Sequence, residues 1–231
     1  MVTTEQPPLQ ASLRAAADAM GLQISAPQTN ALLHYLTLLQ RWNKVYNLTA
    51  VREPGQMLTL HLVDCLATIE PSRRHLAART DARLLDVGSG AGLPAVVIAA
   101  LNPTLAVTSV ETVGKKAAFI RQVATELHLP NLSAEHARVE AMKAQPFDMV
   151  ISRAFASLPD FVKLTRHHLK ANGVWIAMKG KPPTHEMAEL PDDVQMFHVE
   201  PLQIPGLDAE RCLVWIRPRQ RLETSPQRPS A

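Results

Sequence analysis

The chain has 231 residues, 46 % hydrophobic and 19 % charged, a balance that excludes a disordered or fibrous polypeptide and suits one good core with a smaller attachment. Its 24 Lys and Arg against 21 Asp and Glu leave +3, which excludes a histone-like polycation but allows a local basic patch, the usual form of a nucleic-acid footprint. Cys65 and Cys212 form no CxxC pair, so a disulfide framework is excluded and a reduced, cytoplasmic setting is expected. The start of the chain lacks a cationic segment followed by an apolar run, and the most apolar stretch, 93–101, is far shorter than the roughly 18 residues of a membrane span.

Residues 11–20 read as a helix stopped by Gly21. After Pro27, the positions Leu32, Leu33, Leu36, Leu39, Trp42 and Val45 follow helical spacing and predict a second helix ending at 47–49. A third is expected over 55–70. At Arg83 the period changes. A strand over 84–87 leads into Gly88-Ser89-Gly90-Ala91-Gly92 and then a helix over 94–101. A strand over 106–110 ends on Glu111, a helix covers 115–128, and strands are predicted over 132–136 and 147–152. A helix over 158–170, a turn at Asn172-Gly173 and a strand over 174–178 follow, and 194–200 and 212–216 close the pattern as an antiparallel edge. Alternation of this kind predicts an α/β, doubly wound, mostly parallel sheet over 81–218, with an N-terminal helical cap over 1–80. The tail from Pro218 onward, with Arg219, Arg221 and Arg228 against Glu223, is expected to be disordered.

The glycine loop carries the chemistry. At the end of a first strand, such a loop lets backbone approach a ligand, and the next helix offers free N–H groups. The dinucleotide fingerprint GxGxxG needs a glycine at position 93, where the chain has Leu93. The spacing Gly88-x-Gly90-x-Gly92 preceded by Asp86 resembles instead the first motif of class I S-adenosylmethionine (AdoMet) methyltransferases, and Glu111 stands where a carboxylate would take both ribose hydroxyls. An NAD-dependent oxidoreductase is the weaker alternative, because neither tyrosine, Tyr35 or Tyr46, starts a Tyr-x-x-x-Lys pair. A non-catalytic RNA-binding assembly module on the same fold is the other, and intact Gly88, Gly90, Gly92, Glu111 and Arg153 weigh against it.

The methyl acceptor is approached by elimination. After the fourth strand the chain reads Ser152-Arg153-Ala154-Phe155, without the Asn/Asp-Pro-Pro-aromatic stretch of enzymes acting on exocyclic nitrogens, and neither cysteine ends a strand beside the loop. An acceptor that already has a free in-plane lone pair, such as guanine N7, needs neither device nor a general base. Residues 42–52 (WNKVYNLTAVR), 61–64 (HLVD), 86–94 (DVGSGAGLP) and 151–156 (ISRAFA) resemble the glucose-inhibited division protein B family over about residues 31–217. The resemblance implies a bacterial 16S ribosomal RNA guanine-N7 methyltransferase acting on guanine-527 of the decoding region, with AdoMet as cofactor. It also implies cofactor contacts at Gly88, Leu93, Val139, Glu140 and Arg153, with Glu111 where many members have Asp.

Lys115, Lys116 and Arg121 on the helix after Glu111, with Arg138, Lys179 and Lys181 near strand ends, are the candidate RNA rim. Arg153, just past an apolar strand, is expected to point into the cleft and to hold the cofactor carboxylate or orient the guanine. Phe155 is weighed between base stacking and core packing, Trp42 and Tyr46 are read as packing, and Asn47 as within reach of the site mouth. His61 and Asp64 are expected to pair on one helix face, and His167-His168 to lie on a helix surface. No catalytic base is assigned, and no metal, membrane or DNA partner is expected of what reads as a monomer.

Overall fold

The computed structural model describes residues 8–219, and among these five α-helices and one π-helical segment precede the first strand. Helix α1 (Leu9–Ala19) is followed by α2 (Ala26–Tyr46), whose N-terminus is closed by a reciprocal pair. The Gln28 N–H donates to Ser25 Oγ at 3.3 Å and the Ser25 N–H to Gln28 Oε1 at 2.9 Å. Asn47, in the left-handed region at φ 49°, ends α2. The single helix expected over 55–70 is divided into α3 (Pro54–Met57), a π-helical segment (Leu58–Val63) and α4 (Asp64–Leu66). It stops because the Thr68 N–H and hydroxyl both donate to the Cys65 carbonyl, at 3.0 and 2.7 Å, and α5 (Ile69–Leu76) starts afresh.

Seven strands follow: β1 (Arg83–Val87), β2 (Ala106–Glu111), β3 (Leu132–His136), β4 (Phe147–Arg153), β5 (Leu169–Lys179), β6 (Val194–Leu202) and β7 (Arg211–Pro218). Their spatial order is β3-β2-β1-β4-β5-β7-β6, with β1 to β5 parallel, β7 antiparallel to β5 and β6 antiparallel to β7. The last strand is therefore threaded between β5 and β6. Helices α6 (Ala95–Leu101) and α7 (Gly114–Glu126) pack on one face and α8 (Leu158–Thr165) on the other, while the short α9 (Thr184–Ala188) had no forerunner in the sequence reading.

Strand alternation sorts the core. Leu84, Met149, Ile151 and Ile176 face α6, α7 and the N-terminal helices, whereas Leu85, Val150 and Trp175 face Phe161 and Val162 of α8. Leu13, Leu32, Leu36, Leu39 and Leu62 belong to the first of these clusters, so the helical segment and the sheet share one continuous core.

Three expectations are corrected. Asn172-Gly173 is no turn but an irregularity inside β5, where pairing passes from Phe147↔Leu169 to Met149↔Val174. A Cβ on Gly173 would stand 2.7 Å from Leu169 Cδ1 and 3.0 Å from the Asp148 carbonyl, so close approach of side chain and backbone explains the glycine. The helix over 158–170 ends at Thr165, whose hydroxyl receives the Trp175 indole N–H at 2.8 Å. His168 thereby falls in a 3-10 turn and is buried, its Nε2 2.7 Å from the Val139 carbonyl, rather than on a helix surface. Of the tail, Pro218 belongs to β7 and Arg219 bonds Asp193 O and Val194 O at 2.9 Å; residues 220–231 lie outside the described ones. No helix among the described residues is long and apolar enough to cross a membrane.

Candidate functional site

β1 pairs with β2 on one side and β4 on the other, so the winding direction reverses there, and the crevice beyond those strand ends is where open α/β sheets bind ligands. A cavity of ≈ 460 Å³ opens at this point. The β1 loop lines it with Gly88, Gly90 and Leu93, and Arg153 and Ala154 enter from β4.

The three glycines of the loop have three different reasons to be glycine. All have positive φ, at 67°, 57° and 89° for Gly88, Gly90 and Gly92. A Cβ on Gly88 would lie 2.6 Å from Phe155 Cδ2, and one on Gly92 would lie 2.7 Å from Val96 Cγ2 and 3.2 Å from Ile120 Cγ1. Gly88 thus admits an aromatic ring, and Gly92 lets the loop press on α6 and α7. A Cβ on Gly90 would meet nothing within 4 Å, so this glycine alone keeps space open on the cavity side.

Buried polar groups hold the loop. The Tyr35 hydroxyl, fully buried on α2, donates to the Ala91 carbonyl at 2.8 Å. Ser109 Oγ donates to Ser89 Oγ at 2.8 Å, and Ser89 Oγ to the Asp86 carbonyl at 3.0 Å. Glu111 Oε2 accepts the Gly90 N–H and Oε1 the Val113 N–H, each at 2.9 Å, so the β2 carboxylate fixes the open glycine. Asp86 does not line the cavity. Its Oδ2 accepts the Ala95 N–H at 3.0 Å at the start of α6, and its Oδ1 is buried without a partner. Complete burial pushes its carboxyl up to about 7, against the opposing bond from Ala95.

The opposite wall is built around Asp64. This buried carboxylate does not pair with His61 as expected. It accepts from Arg153 Nη1 at 3.3 Å and from Arg211 Nε at 2.9 Å, joining α4, β4 and β7. Arg153 Nη1 also donates to the Leu60 carbonyl at 3.0 Å, in the π-helical segment, a widened helix form common at functional sites. His61 Nε2 lies 2.9 Å from Thr49 Oγ1, tying the segment after α2 to this wall, and burial holds the His61 imidazole below its ordinary range. Leu48, Thr49, His61, Asp64 and Arg211 all line the cavity. Arg211 was missed in the sequence because 147 residues separate it from its partner carboxylate.

Phe155 packs against Gly88 and edge-on to Phe161 at 6.3 Å, held there by Ala154 at φ 53°, a left-handed conformation costing a non-glycine about 1–2 kcal/mol. Val139 and Glu140 lie in a 3-10 turn after β3, outside the cavity lining, and the Val139 carbonyl is engaged by His168. Asn47 bonds Arg52 Nη2 at 3.2 Å, while its neighbours Leu48 and Thr49 reach the cavity. Among the basic candidates, Lys115 is exposed and Lys116 half-buried in the first turn of α7, and Arg138 and Lys181 are exposed. Arg121 Nε is bound to the Ala134 carbonyl at 2.9 Å. Lys179 lines the cavity and is paired with Glu186 at 2.8 Å. Burial raises both cysteine thiols, Cys65 strongly, so neither is poised as a thiolate nucleophile.

Comparison with known proteins places this geometry. The profile of the GidB family, "rRNA small subunit methyltransferase G", matches residues 28–214. The chain belongs to this family. It is 55 % identical over 225 residues to "Ribosomal RNA small subunit methyltransferase G" of Paracidovorax citrulli (strain AAC00-1), covering 93 % of this chain and 92 % of that one. With the protein of the same name from Methylibium petroleiphilum (strain ATCC BAA-1232 / LMG 22953 / PM1) it shares 58 % over 204 residues, 88 % of this chain and 92 % of the relative. Among solved structures, ribosomal protein L11 methylase from Lactobacillus delbrueckii subsp. bulgaricus superposes with TM-score 0.51 at 16 % identity over 68 % of this chain and 77 % of that one. Coclaurine N-methyltransferase bound to N-methylheliamine and SAH gives TM-score 0.51 at 12 % identity over 86 % and 69 %. These likenesses establish the class I methyltransferase fold, to which this chain adds its N-terminal helices.

Proposed function

We propose that the chain transfers the methyl group of AdoMet to N7 of a guanine in 16S ribosomal RNA. The observation that carries the reading is the open side of Gly90: the glycine loop leaves room in a ≈ 460 Å³ cavity at the sheet's switch point, within the size range of small-molecule sites. The residues present fit the cofactor. Gly88, Gly90 and Leu93 would form the cradle. Glu111 lies just behind the cavity lining and would take a ribose hydroxyl, since a carboxylate has about four acceptor positions and two backbone N–H groups and the Thr112 hydroxyl fill three. Asp86 acts from behind, fixing the start of α6. Val139 and Glu140 would border the adenine through groups other than the Val139 carbonyl. Arg153 and Arg211 present guanidinium N–H groups for a carboxylate or phosphate, and Asp64 holds both side chains in place.

AdoMet, when bound, supplies an electrophilic methyl group. Guanine N7 already carries an in-plane lone pair, so transfer would break the S–CH3 bond, release S-adenosylhomocysteine and need no proton removed beforehand, which matches a site with no assigned base. The protein's work is orientation and electrostatics. Asp64 serves a second purpose here, because methylation makes the guanine cationic, and without the carboxylate two uncompensated guanidiniums would face that charge. The test is mapping of 7-methylguanosine in 16S RNA from small subunits lacking the mark, incubated with AdoMet with and without the protein. A new protein-dependent 7-methylguanosine is expected; methylation elsewhere, or none, would overturn the reading.

A further inference from the structure

One family-specific stretch finds no use in the cofactor site: Trp42 to Tyr46 at the end of α2. Its two aromatic residues, four apart on one helix face, meet different fates. Trp42 packs on Phe119 of α7 with ring centroids 5.3 Å apart, whereas Tyr46, 5.1 Å from Trp42, is 41 % exposed and the adjoining Val45 70 % exposed. An aromatic ladder thus climbs from the core, Phe119 to Trp42 to Tyr46, and ends in solvent with its last ring fixed from beneath.

Two contacts set the direction of α2 against α7. His34 stands 3.8 Å from Glu126 and the Trp42 ring packs tilted at 56° against Phe119, so the helices run antiparallel, and the end of α2 lies toward the first turn of α7. That turn carries Lys115 and Lys116, four and three residues before Phe119 and therefore on the same helix face as the ladder. On the other flank, Arg52 reaches Asn47 beside Tyr46, and Leu48 and Thr49 lead into the cavity. No Asp or Glu occurs between Asp18 and Glu53, a stretch that holds Arg41, Lys44 and Arg52. A pre-ordered exposed ring set among cations at the lip of the site has the chemistry of a nucleic-acid stacking platform.

We propose that Tyr46 stacks on a nucleobase of the substrate RNA next to the target guanine, while Lys115, Lys116 and Arg52 neutralise the adjoining phosphates. The assignment rests on the RNA methyltransferase reading above. It makes Tyr46 a substrate-positioning residue distinct from the cofactor cradle.

The experiment uses the full chain with AdoMet and small ribosomal subunits lacking the 7-methylguanosine, and measures RNA affinity, KM and salt dependence for Tyr46→Ala, Tyr46→Leu, Tyr46→Phe and Tyr46→Trp. Ala and Leu variants should each lose about tenfold in affinity for the subunit, as removal of a stacking ring does, while Phe and Trp keep wild-type values. The dependence of affinity on salt should stay unchanged in all four, whereas Lys115→Ala/Lys116→Ala should flatten it by about two phosphate contacts. AdoMet affinity should match the wild type throughout. Wild-type affinity in Tyr46→Ala, loss in Tyr46→Phe equal to that in Tyr46→Ala, or an equal fall in AdoMet affinity would each overturn the proposal. Methyl transfer by the wild type in the same reactions separates the two readings: its absence defeats the parent function, while its presence with an indifferent Tyr46→Ala defeats only the platform.

Discussion

Gly88 and Gly90, two residues apart in one loop, should respond to the same methyl group in opposite ways. Both hold φ near +60°, where an alanine costs about 1–2 kcal/mol, partly offset by about 0.4–1 kcal/mol from a stiffer unfolded chain. Gly90→Ala adds only this net strain of about 1 kcal/mol, a fall of about 2–4 °C in Tm, because its Cβ meets nothing within 4 Å. Gly88→Ala must also displace the Phe155 ring from 2.6 Å, an overpacking term of about 1–3 kcal/mol, so its Tm should fall about two to four times as far. For ligand binding the order reverses. The Gly90 methyl occupies the cavity wall, and titration calorimetry with AdoMet should show at least a tenfold loss, about 1.4 kcal/mol, in a protein that remains folded. Wild-type AdoMet affinity in Gly90→Ala would show that the ligand does not lie against the open side of the loop. Equal melting points for the two variants would refute the division of labour among the glycines.

Three other expectations follow from the buried charges. Asp64→Asn leaves Arg153 and Arg211 without their counter-charge, and because both guanidiniums are partly exposed the loss should be about 2–3 kcal/mol in urea unfolding; a change under about 0.5 kcal/mol would mean that the three-residue link is not stabilising. Asp86, raised by burial to about 7, favours its protonated form in the folded chain, so the stability it contributes is present below the ordinary carboxylate range and lost as pH climbs from about 4 through 7. Asp86→Asn keeps an acceptor for the Ala95 N–H and should flatten the Tm profile in that window, an outcome that an unchanged slope would contradict. His61 has the opposite sign: held below its ordinary value by burial, it contributes stability above about pH 6.5 that is lost on acidification, and His61→Gln should weaken that acid limb of the same melting curve.

The alternation of strands and helices from Arg83 onward was legible because a parallel sheet requires long apolar strands joined by crossovers, and each leaves a period in the sequence. The glycine loop and the end of β2 at Glu111 were legible because φ requirements and strand endings act locally, within one or two residues. What escaped depends on pairing at a distance. The wall of Arg153, Asp64 and Arg211 joins three segments that no spacing relates. The π-helical turn at Leu58–Val63 was hidden because one extra residue leaves the apolar stripe of that segment almost intact. The fate of Tyr46 was misread for a simpler reason: helical spacing put it in line with Trp42, but α2 ends before the core does, leaving the second ring outside.

The position of β7 has a consequence for the order of events during synthesis. A chain leaving the ribosome from its N-terminus presents β6 before β7, yet among the described residues β6 pairs only with β7, so until β7 inserts beside β5 the preceding strand has no ladder to join. Arg211 is the first residue of β7 and closes the link to Asp64 from the far end of the chain. A nascent polypeptide can therefore carry a complete glycine loop while still lacking one wall of its site, and the pocket is finished only with the final strand.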